Sequence, residues 1–312
     1  MNDSRLSGKD LAAALGVIVI WGLNFVAMKF ALHDFTPFQL GAARYTLAVL
    51  PLIFFIRAPR LHWKWVMLYG LFQGVGQFGL LFTALKVGMT AALASVLMQT
   101  QVFFSALFGY LLLHERLSRP LVGGLGLAAA GLVCFGMNFV SGATLAITVA
   151  GFVLNLCAAA MWAASNIVAR KAQQSGPQYE PLQFLVWSSL VPIVPFLLMS
   201  LLFDPVAATP AMAWSSAAKW ASVPWTSWLA VAYLGWIATI WGYALWTGLL
   251  QRHATNRVAP FSLGVPVVGL TAGVLVLGEV ISAWQWAGIA LLVAALGVVV
   301  LGGLLVRPAP TR

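Results

Sequence analysis

Residues 11–32, LAAALGVIVIWGLNFVAMKFAL, form a long apolar stretch that a single charge, Lys29, interrupts. The hydrocarbon core of a bilayer is about 30 Å thick, and an α-helix that rises 1.5 Å per residue needs about 20 residues to cross it. The stretch therefore predicts a membrane-spanning helix. It is too long for the apolar region of a cleaved signal peptide, so we expect it to be retained as the first span.

The composition of the whole chain agrees with this interpretation. Of its 312 residues 62% are hydrophobic and 8% are charged, and the mean hydropathy is +0.94. Soluble domains carry about 25% charged residues, because their surfaces face water. The net charge of +10 is spread over single and paired residues between apolar runs, so we expect no nucleic-acid partner. Cys134 and Cys157 lie inside apolar runs, and we expect neither a metal site nor a cofactor.

Apolar runs of similar length recur along the chain. They predict an all-α membrane protein with ten transmembrane helices, at about 10–32, 36–56, 64–86, 90–113, 119–138, 146–170, 181–203, 225–251, 255–278 and 282–306. Two of the predicted helices begin with a capping box, Thr36 with Gln39 and Ser282 with Gln285.

The distribution of Lys and Arg predicts the orientation. If the N-terminus is cytoplasmic, all but four of the 17 Lys and Arg residues fall on the cytoplasmic side, and the four are Lys29, Arg44, Lys86 and Lys219. Loops on the cytoplasmic side of membrane proteins carry such an excess. We therefore expect a multi-pass protein of the bacterial inner membrane with both termini in the cytoplasm.

The two halves of the sequence, 11–137 and 149–302, align with one another. The matching pairs are Trp21 with Trp162, Asn24 with Ser165, Lys29 with Arg170, Pro37 with Pro181, Gln39 with Gln183, Tyr69 with Tyr233, Glu115 with Glu279 and Gly124 with Gly288. Each half would hold five spans, an odd number, so the two five-helix repeats must cross the bilayer in opposite orientations. Inverted repeats are typical of transporters that work by alternating access around a site near the bilayer midplane.

Several motifs resemble the EamA family of the drug/metabolite transporter superfamily. They are Trp21-Gly22-Leu23-Asn24, the end of span 4 from Gly109 to Glu115, and Pro266 with Leu277-Gly278-Glu279. The stretches from Trp21 to Lys29 and from Val258 to Leu270 are most similar to bacterial exporters of amino acids and their metabolites, of the cysteine/O-acetylserine type. The resemblance covers nearly the whole chain, and it implies a transporter rather than an enzyme. A shared fold leaves the cargo open.

Polar and aromatic side chains within the predicted spans are the candidates for a substrate site, because polar groups in lipid are costly unless they find partners or line a wet cavity. The candidates are Trp21, Asn24, Arg44, Gln73, Gln77, Gln99, Gln101, Trp162, Ser165, Asn166, Tyr243 and Trp246. For the glutamines the alternative is hydrogen bonding between helices. For Arg44 the two alternatives are a cation for a substrate carboxylate and a snorkelling side chain near the interface.

Charged residues near the predicted helix ends have other expected roles. Lys29 and Arg170 are gate candidates, with snorkelling as the alternative. Glu115 and Glu279 each precede a predicted helix, so we expect them to complement the positive N-terminal dipoles of spans 5 and 10.

The carboxylates of this sequence all fall in predicted loops or at helix ends. Proton coupling through a carboxylate at mid-membrane is therefore disfavoured, and the sequence predicts facilitated export of amino acids or their metabolites by a monomer or weak dimer. The alternatives are an exporter of aromatic amino acids or drug-like compounds, a channel, and a membrane-embedded lipid-modifying enzyme. The enzyme is disfavoured because no Asp-rich metal-binding motif occurs in the sequence.

Overall fold

The structure, a computed structural model, describes residues 7–50, 52–113, 118–140, 147–175, 180–204, 217–253 and 258–305. Secondary structure in these ranges is helical throughout. Within these ranges, eight helices are long and apolar enough to cross a membrane, and a shorter apolar helix, Phe261–Leu277, precedes the last of them. The predicted fold class is thus confirmed at the level of a multi-pass, all-α membrane protein.

The helices of the first half are labelled α1 to α5. They are α1 (Gly8–Asp34), α2 (Pro37–Val49), α3 (Trp63–Lys86, π-helical over Gly70–Phe78), α4 (Ala91–Leu97 and Gln101–Leu113, joined by a 3-10 turn at Met98–Thr100) and α5 (Arg119–Val140).

The helices of the second half are labelled α6 to α10. They are α6 (Val149–Ser175), α7 (Pro181–Phe203, with a turn between Pro181–Ser188 and Ile193–Phe203), α8 (Trp225–Ala232, π-helical Tyr233–Trp241 and Gly242–Arg252), α9 (Gly264–Leu277, after a 3-10 turn at Ala259–Leu263) and α10 (Ala283–Leu305). A short helix at Ala217–Ser222 precedes α8.

The second predicted span, 36–56, is longer than the helix found there. α2 has 13 residues and ends at Val49, so it is about 20 Å long and shorter than the hydrocarbon core. Leu50 at its C-terminal cap has an extended backbone, with φ −85° and ψ 131°. The next residue is Pro51, and a residue before proline disfavours the helical conformation.

Both predicted capping boxes are confirmed. The Thr36 hydroxyl accepts a hydrogen bond from the backbone N–H of Gln39 at 3.1 Å, and the Gln39 side chain accepts one from the Thr36 N–H at 3.3 Å. Ser282 and Gln285 make the same pair of bonds, at 3.2 Å and 2.9 Å. These bonds satisfy donors that the first turn of a helix leaves free, so they fix where α2 and α10 begin.

The prediction that Glu279 complements the positive N-terminal dipole of α10 is wrong. Its two carboxylate oxygens instead accept hydrogen bonds from the backbone N–H groups of Ala91 and Ala92, both at 2.7 Å, at the start of α4. The N-terminus of α10 already has its capping box, whereas the start of α4 offers free donors and a positive dipole end. Glu279 therefore joins the second half of the chain to the first, and Glu115 lies outside the described residues.

Glycines let α9 pack closely between α1 and α4. A Cβ atom at Gly22 in α1 would lie 2.5 Å from the Cβ of Val268, and one at Gly269 in α9 would lie 2.5 Å from the Cβ of Ser95. Small residues of this kind allow the close helix approach that is common in membranes. α1 also packs against α8, and α6 packs along α3 and α4. α5 and α10 pack extensively against each other.

We expect Gly269→Ala to destabilise the protein, because the added methyl group would collide with Ser95 and overpacking costs about 1–3 kcal/mol. The measurement is the thermal unfolding midpoint of the purified protein in detergent. Gly126→Ala in α5 is the matched control, since a Cβ there has nothing within 4 Å. An unchanged midpoint for Gly269→Ala would contradict the close packing of α9 on α4.

Candidate functional site

A cavity of about 260 Å³ lies among the helices of both halves. Side chains from α1, α2, α3, α4, α6, α8 and the start of α9 line it: Trp21, Asn24, Phe25, Arg44, Tyr69, Gln77, Phe78, Leu81, Ser95, Met98, Gln99, Gln101, Trp162, Asn166, Ala238, Tyr243, Trp246, Ser262 and Val265. Every predicted substrate-binding residue except Gln73 and Ser165 is in this lining. A smaller pocket adjoins it and shares Arg44 and Tyr243 as lining residues.

Arg44 is the one charged side chain among the described lining residues. It is 2% exposed, and its guanidinium donates to the Thr239 hydroxyl from Nε at 3.3 Å and from Nη2 at 3.1 Å, and to Asn24 Oδ1 at 3.4 Å. The guanidinium carbon lies 3.9 Å from the ring centroid of Phe78. Among the described residues no carboxylate oxygen lies within 4.0 Å of a guanidinium nitrogen of Arg44. Snorkelling is wrong for Arg44, because its head group is buried inside the protein.

π-helical segments in α3 and α8 help to build this environment. The segments Gly70–Phe78 and Tyr233–Trp241 occupy matching positions in the two halves and supply the lining residues Gln77, Phe78 and Ala238. In α8 the Thr239 hydroxyl donates to the Leu234 carbonyl, five residues earlier, at 2.8 Å. Its lone pairs are thereby turned towards Arg44. Single π-helical segments within α-helices often occur at functional sites.

Aromatic rings form one wall of the cavity. The ring centroid of Trp21 lies 5.1 Å from that of Tyr243 and 5.6 Å from that of Trp246. The indole N–H of Trp21 donates to the Ala238 carbonyl at 3.0 Å, which fixes the ring on α8. A polarised aromatic wall suits both an apolar substrate side chain and a cationic group.

Gln73 and Ser165 lie behind this wall rather than in the cavity lining. Ser165 donates to Gln73 Oε1 at 2.5 Å, and the Gln73 amide donates to the Tyr243 hydroxyl at 3.3 Å. Gln73 faces the smaller adjoining pocket. The structure therefore gives this pair the alternative role expected for some of the glutamines, hydrogen bonding between α3, α6 and α8.

Amide side chains line the part of the cavity formed by α4 and α6. The Asn166 amide donates to Gln101 Oε1 at 2.9 Å, and the Gln99 amide donates to the Ser262 carbonyl at 3.3 Å. Trp162 lies one turn before Asn166 on α6. These contacts join α4 to both α6 and the start of α9.

The gate candidates lie in different surroundings. Lys29 donates to the carbonyls of Leu85 at 2.8 Å and Met89 at 2.9 Å, so it ties α1 to the C-terminal end of α3 instead of snorkelling. Lys86 makes the reciprocal bond, to the Leu32 carbonyl at 2.7 Å. Arg170 lies exposed near the end of α6.

Sequence reasoning missed several contributors to the site. Most are apolar or aromatic: Phe25, Tyr69, Phe78, Leu81, Met98, Ala238 and Val265. Residues of these types fill membrane spans everywhere, so nothing in the pattern distinguishes them. Ser95, Ser262 and Thr239 do carry a signal, since each is a hydroxyl within an apolar run. In the described ranges no group of three or more His, Cys, Asp or Glu could hold a metal ion.

Comparison with known proteins is consistent along the whole chain. The model of the EamA-like transporter family matches residues 9–137 and 149–301. A protein of Salmonella typhimurium named "Probable amino-acid metabolite efflux pump" is 40% identical over 298 residues, 95% of this chain and 96% of that protein. A protein of Escherichia coli K12 with the same name is 37% identical over 297 residues, with the same coverage. A solved crystal structure with 22% identity shares the fold, at a TM-score of 0.60 over 96% of this chain and 98% of that one.

We expect Thr239→Val to destabilise the protein by about 1–3 kcal/mol, because it removes the acceptor of two Arg44 hydrogen bonds and leaves a buried cation under-satisfied. Thermal unfolding in detergent measures the effect. Thr247→Val on the same helix is the control, since that hydroxyl donates only to backbone carbonyls of its own helix, Tyr243 and Ala244. An equal fall in the unfolding midpoint for both variants would contradict the stabilising role of the hydrogen bonds between Thr239 and Arg44.

Proposed function

Because the chain belongs to the EamA-like transporter family, we propose that it exports amino acids or amino-acid metabolites across a bacterial inner membrane. Its membership of a transporter family decides between transport and lipid-modifying catalysis in favour of transport. The names of the Salmonella and Escherichia relatives support the substrate class, since both describe efflux of amino-acid metabolites.

The observation that carries the proposal is a buried cation in the cavity that has no ion-pair partner among the described residues. A guanidinium in a dry site is strongly destabilised unless an anion or several hydrogen bonds offset its lost hydration. Arg44 has three long hydrogen bonds to neutral acceptors and a contact with an aromatic face. A substrate carboxylate would supply the missing negative charge and a bidentate acceptor. The α-carboxylate is the group that all amino acids share.

The rest of the cavity suits the remainder of such a substrate. We assign substrate contacts to Trp21, Asn24, Gln77, Gln99, Gln101, Trp162, Asn166, Tyr243 and Trp246, and supporting roles to Gln73 and Ser165. The described lining residues include no carboxylate that could bind and release a proton. We therefore propose facilitated export down the concentration gradient, with no cofactor.

The proposed mechanism is alternating access between two inverted five-helix repeats, 11–137 and 149–302, with both termini in the cytoplasm. The matched π-helical segments of α3 and α8 and the lining contributed by both halves support it. Lys29 is the proposed gate element at its end of the bundle, because its two hydrogen bonds hold α1 against α3. Arg170 is the equivalent element at the other end. We propose a monomer or weak dimer as the working unit.

An exporter of aromatic amino acids is the second candidate, and the aromatic lining favours it. Seven lining residues are aromatic: Trp21, Phe25, Tyr69, Phe78, Trp162, Tyr243 and Trp246. A cavity of about 260 Å³ is large enough for a small amino acid, and its volume alone does not separate the two candidates.

Uptake of a panel of radiolabelled amino acids into proteoliposomes, with and without a pH gradient, tests the function. We expect saturable uptake of a few small amino acids at a rate that the gradient does not change. Preferred uptake of tryptophan or phenylalanine would establish the second candidate instead. Uptake that requires the gradient would contradict facilitated transport, and uptake of no amino acid would overturn the substrate class.

We expect Arg44→Gln to lower the apparent affinity for transported amino acids at least about 30-fold, which corresponds to the loss of about 2 kcal/mol from a buried charged contact. Arg44→Lys keeps the charge without the bidentate geometry, so an intermediate loss is expected. Concentration-dependent uptake into proteoliposomes measures both variants. Wild-type affinity in Arg44→Gln would place the substrate carboxylate elsewhere.

A further inference from the structure

One buried acceptor in the cavity has no donor in the part of the chain that the structure describes. Gln77 is 4% exposed and lines the cavity, yet its Oε1 atom accepts no hydrogen bond there. Two other amides of the lining differ, since Gln101 Oε1 accepts from Asn166 and Asn24 Oδ1 accepts from Arg44. Buried acceptors in native proteins are nearly always satisfied, so an unsatisfied one on a side chain that lines a cavity points to a donor that arrives with the ligand.

We propose that Gln77 Oε1 accepts a hydrogen bond from the amino group of the substrate, and that this contact selects amino acids over carboxylates that lack an amine. The inference rests on the proposed function, because it assumes that the carboxylate of the same substrate binds Arg44. It adds the residue that recognises the second charged group of an amino acid.

The position of Gln77 relative to Arg44 fits this assignment. Gln77 immediately precedes Phe78, whose ring centroid lies 3.9 Å from the Arg44 guanidinium carbon. Gln77, Phe78 and Arg44 all line the same cavity, so the amide and the cation are available to one ligand. The carboxylate and amine of an α-amino acid are attached to one carbon atom. Their binding partners must therefore lie in one cavity, as Gln77 and Arg44 do.

The aromatic wall completes the surroundings of an ammonium group. Trp21 lies one helical turn before Asn24, which accepts from Arg44, and its ring contacts those of Tyr243 and Trp246. The faces of such rings attract cations. A neutral acceptor with aromatic faces suits an ammonium group, because the amide oxygen and the ring faces both carry partial negative charge.

Competition experiments in proteoliposomes test the inference. The probe is L-serine, or the amino acid of the uptake panel that is taken up fastest, and the competitor is its deamino carboxylic acid, which for serine is 3-hydroxypropionate. In the wild type we expect the amino acid to inhibit labelled uptake at least about tenfold more strongly than the deamino acid, the size expected for a hydrogen bond to a charged group. We call the inhibition constant of the deamino acid divided by that of the amino acid the selectivity ratio. A selectivity ratio near one in the wild type would overturn the inference.

Substitution of Gln77 identifies the acceptor. Gln77→Met keeps the length of the side chain and removes the carbonyl oxygen, so we expect the ratio to fall to about one while inhibition by the deamino acid is unchanged. Gln77→Leu repeats the test if the methionine variant does not insert, and Gln77→Glu should restore the preference because it keeps an acceptor. Gln183→Leu, a glutamine of α7 outside the cavity lining, is the control and should keep the wild-type ratio.

The same experiment separates failure of this inference from failure of the proposed function. Arg44→Gln should weaken inhibition by the amino acid and by the deamino acid alike, because both carry the carboxylate. An unchanged ratio in Gln77→Met, or an equal loss for both competitors, overturns the role of Gln77 and leaves the proposed function standing if Arg44→Gln behaves as expected. Arg44→Gln with wild-type affinity for both overturns the proposed function itself.

Discussion

The burial of one guanidinium among neutral groups is the constraint on which the site depends. Arg44 has no carboxylate within ion-pair distance among the described residues, so Thr239 and Asn24, from helices in opposite halves of the chain, must hold its hydrogen bonds. That requirement fixes how α1, α2 and α8 meet. A side chain so expensive to bury is expected where its charge has a use, and the use proposed for Arg44 is to attract an anionic group of the cargo.

Close helix packing supplies the rigidity that this arrangement needs. Gly22 and Gly269 let α9 approach α1 and α4 to distances that any side chain would prevent. The π-helical segments of α3 and α8 have the opposite effect, since their wider turns free side chains such as Thr239 to bond outside the regular ladder. Tightly packed helices thus lie beside two locally irregular ones, which supply Gln77 and Tyr243 to the cavity lining.

Sequence alone predicts the polar part of this site well, because polar residues within apolar runs are rare and need a reason. Arg44 and Gln77 stand out in that way. Phe78 gives no such signal, although it lies directly on the guanidinium. The side of α3 on which Gln73 lies could not be predicted either. Gln73 and Gln77 are four residues apart and would share a face in an α-helix, but the segment Gly70–Phe78 is π-helical. Glu279 shows a third limit: a carboxylate just before a helix can cap a different helix far away in the chain.

That last contact has a consequence for biogenesis. Glu279 binds the start of α4 from a position 188 residues further along the chain than Ala91. While the ribosome is still synthesising the second half, the first turn of α4 has no carboxylate to hold it. This cap on the first half therefore forms only after Glu279 has been synthesised, and a nascent chain truncated before Glu279 would leave the start of α4 without it.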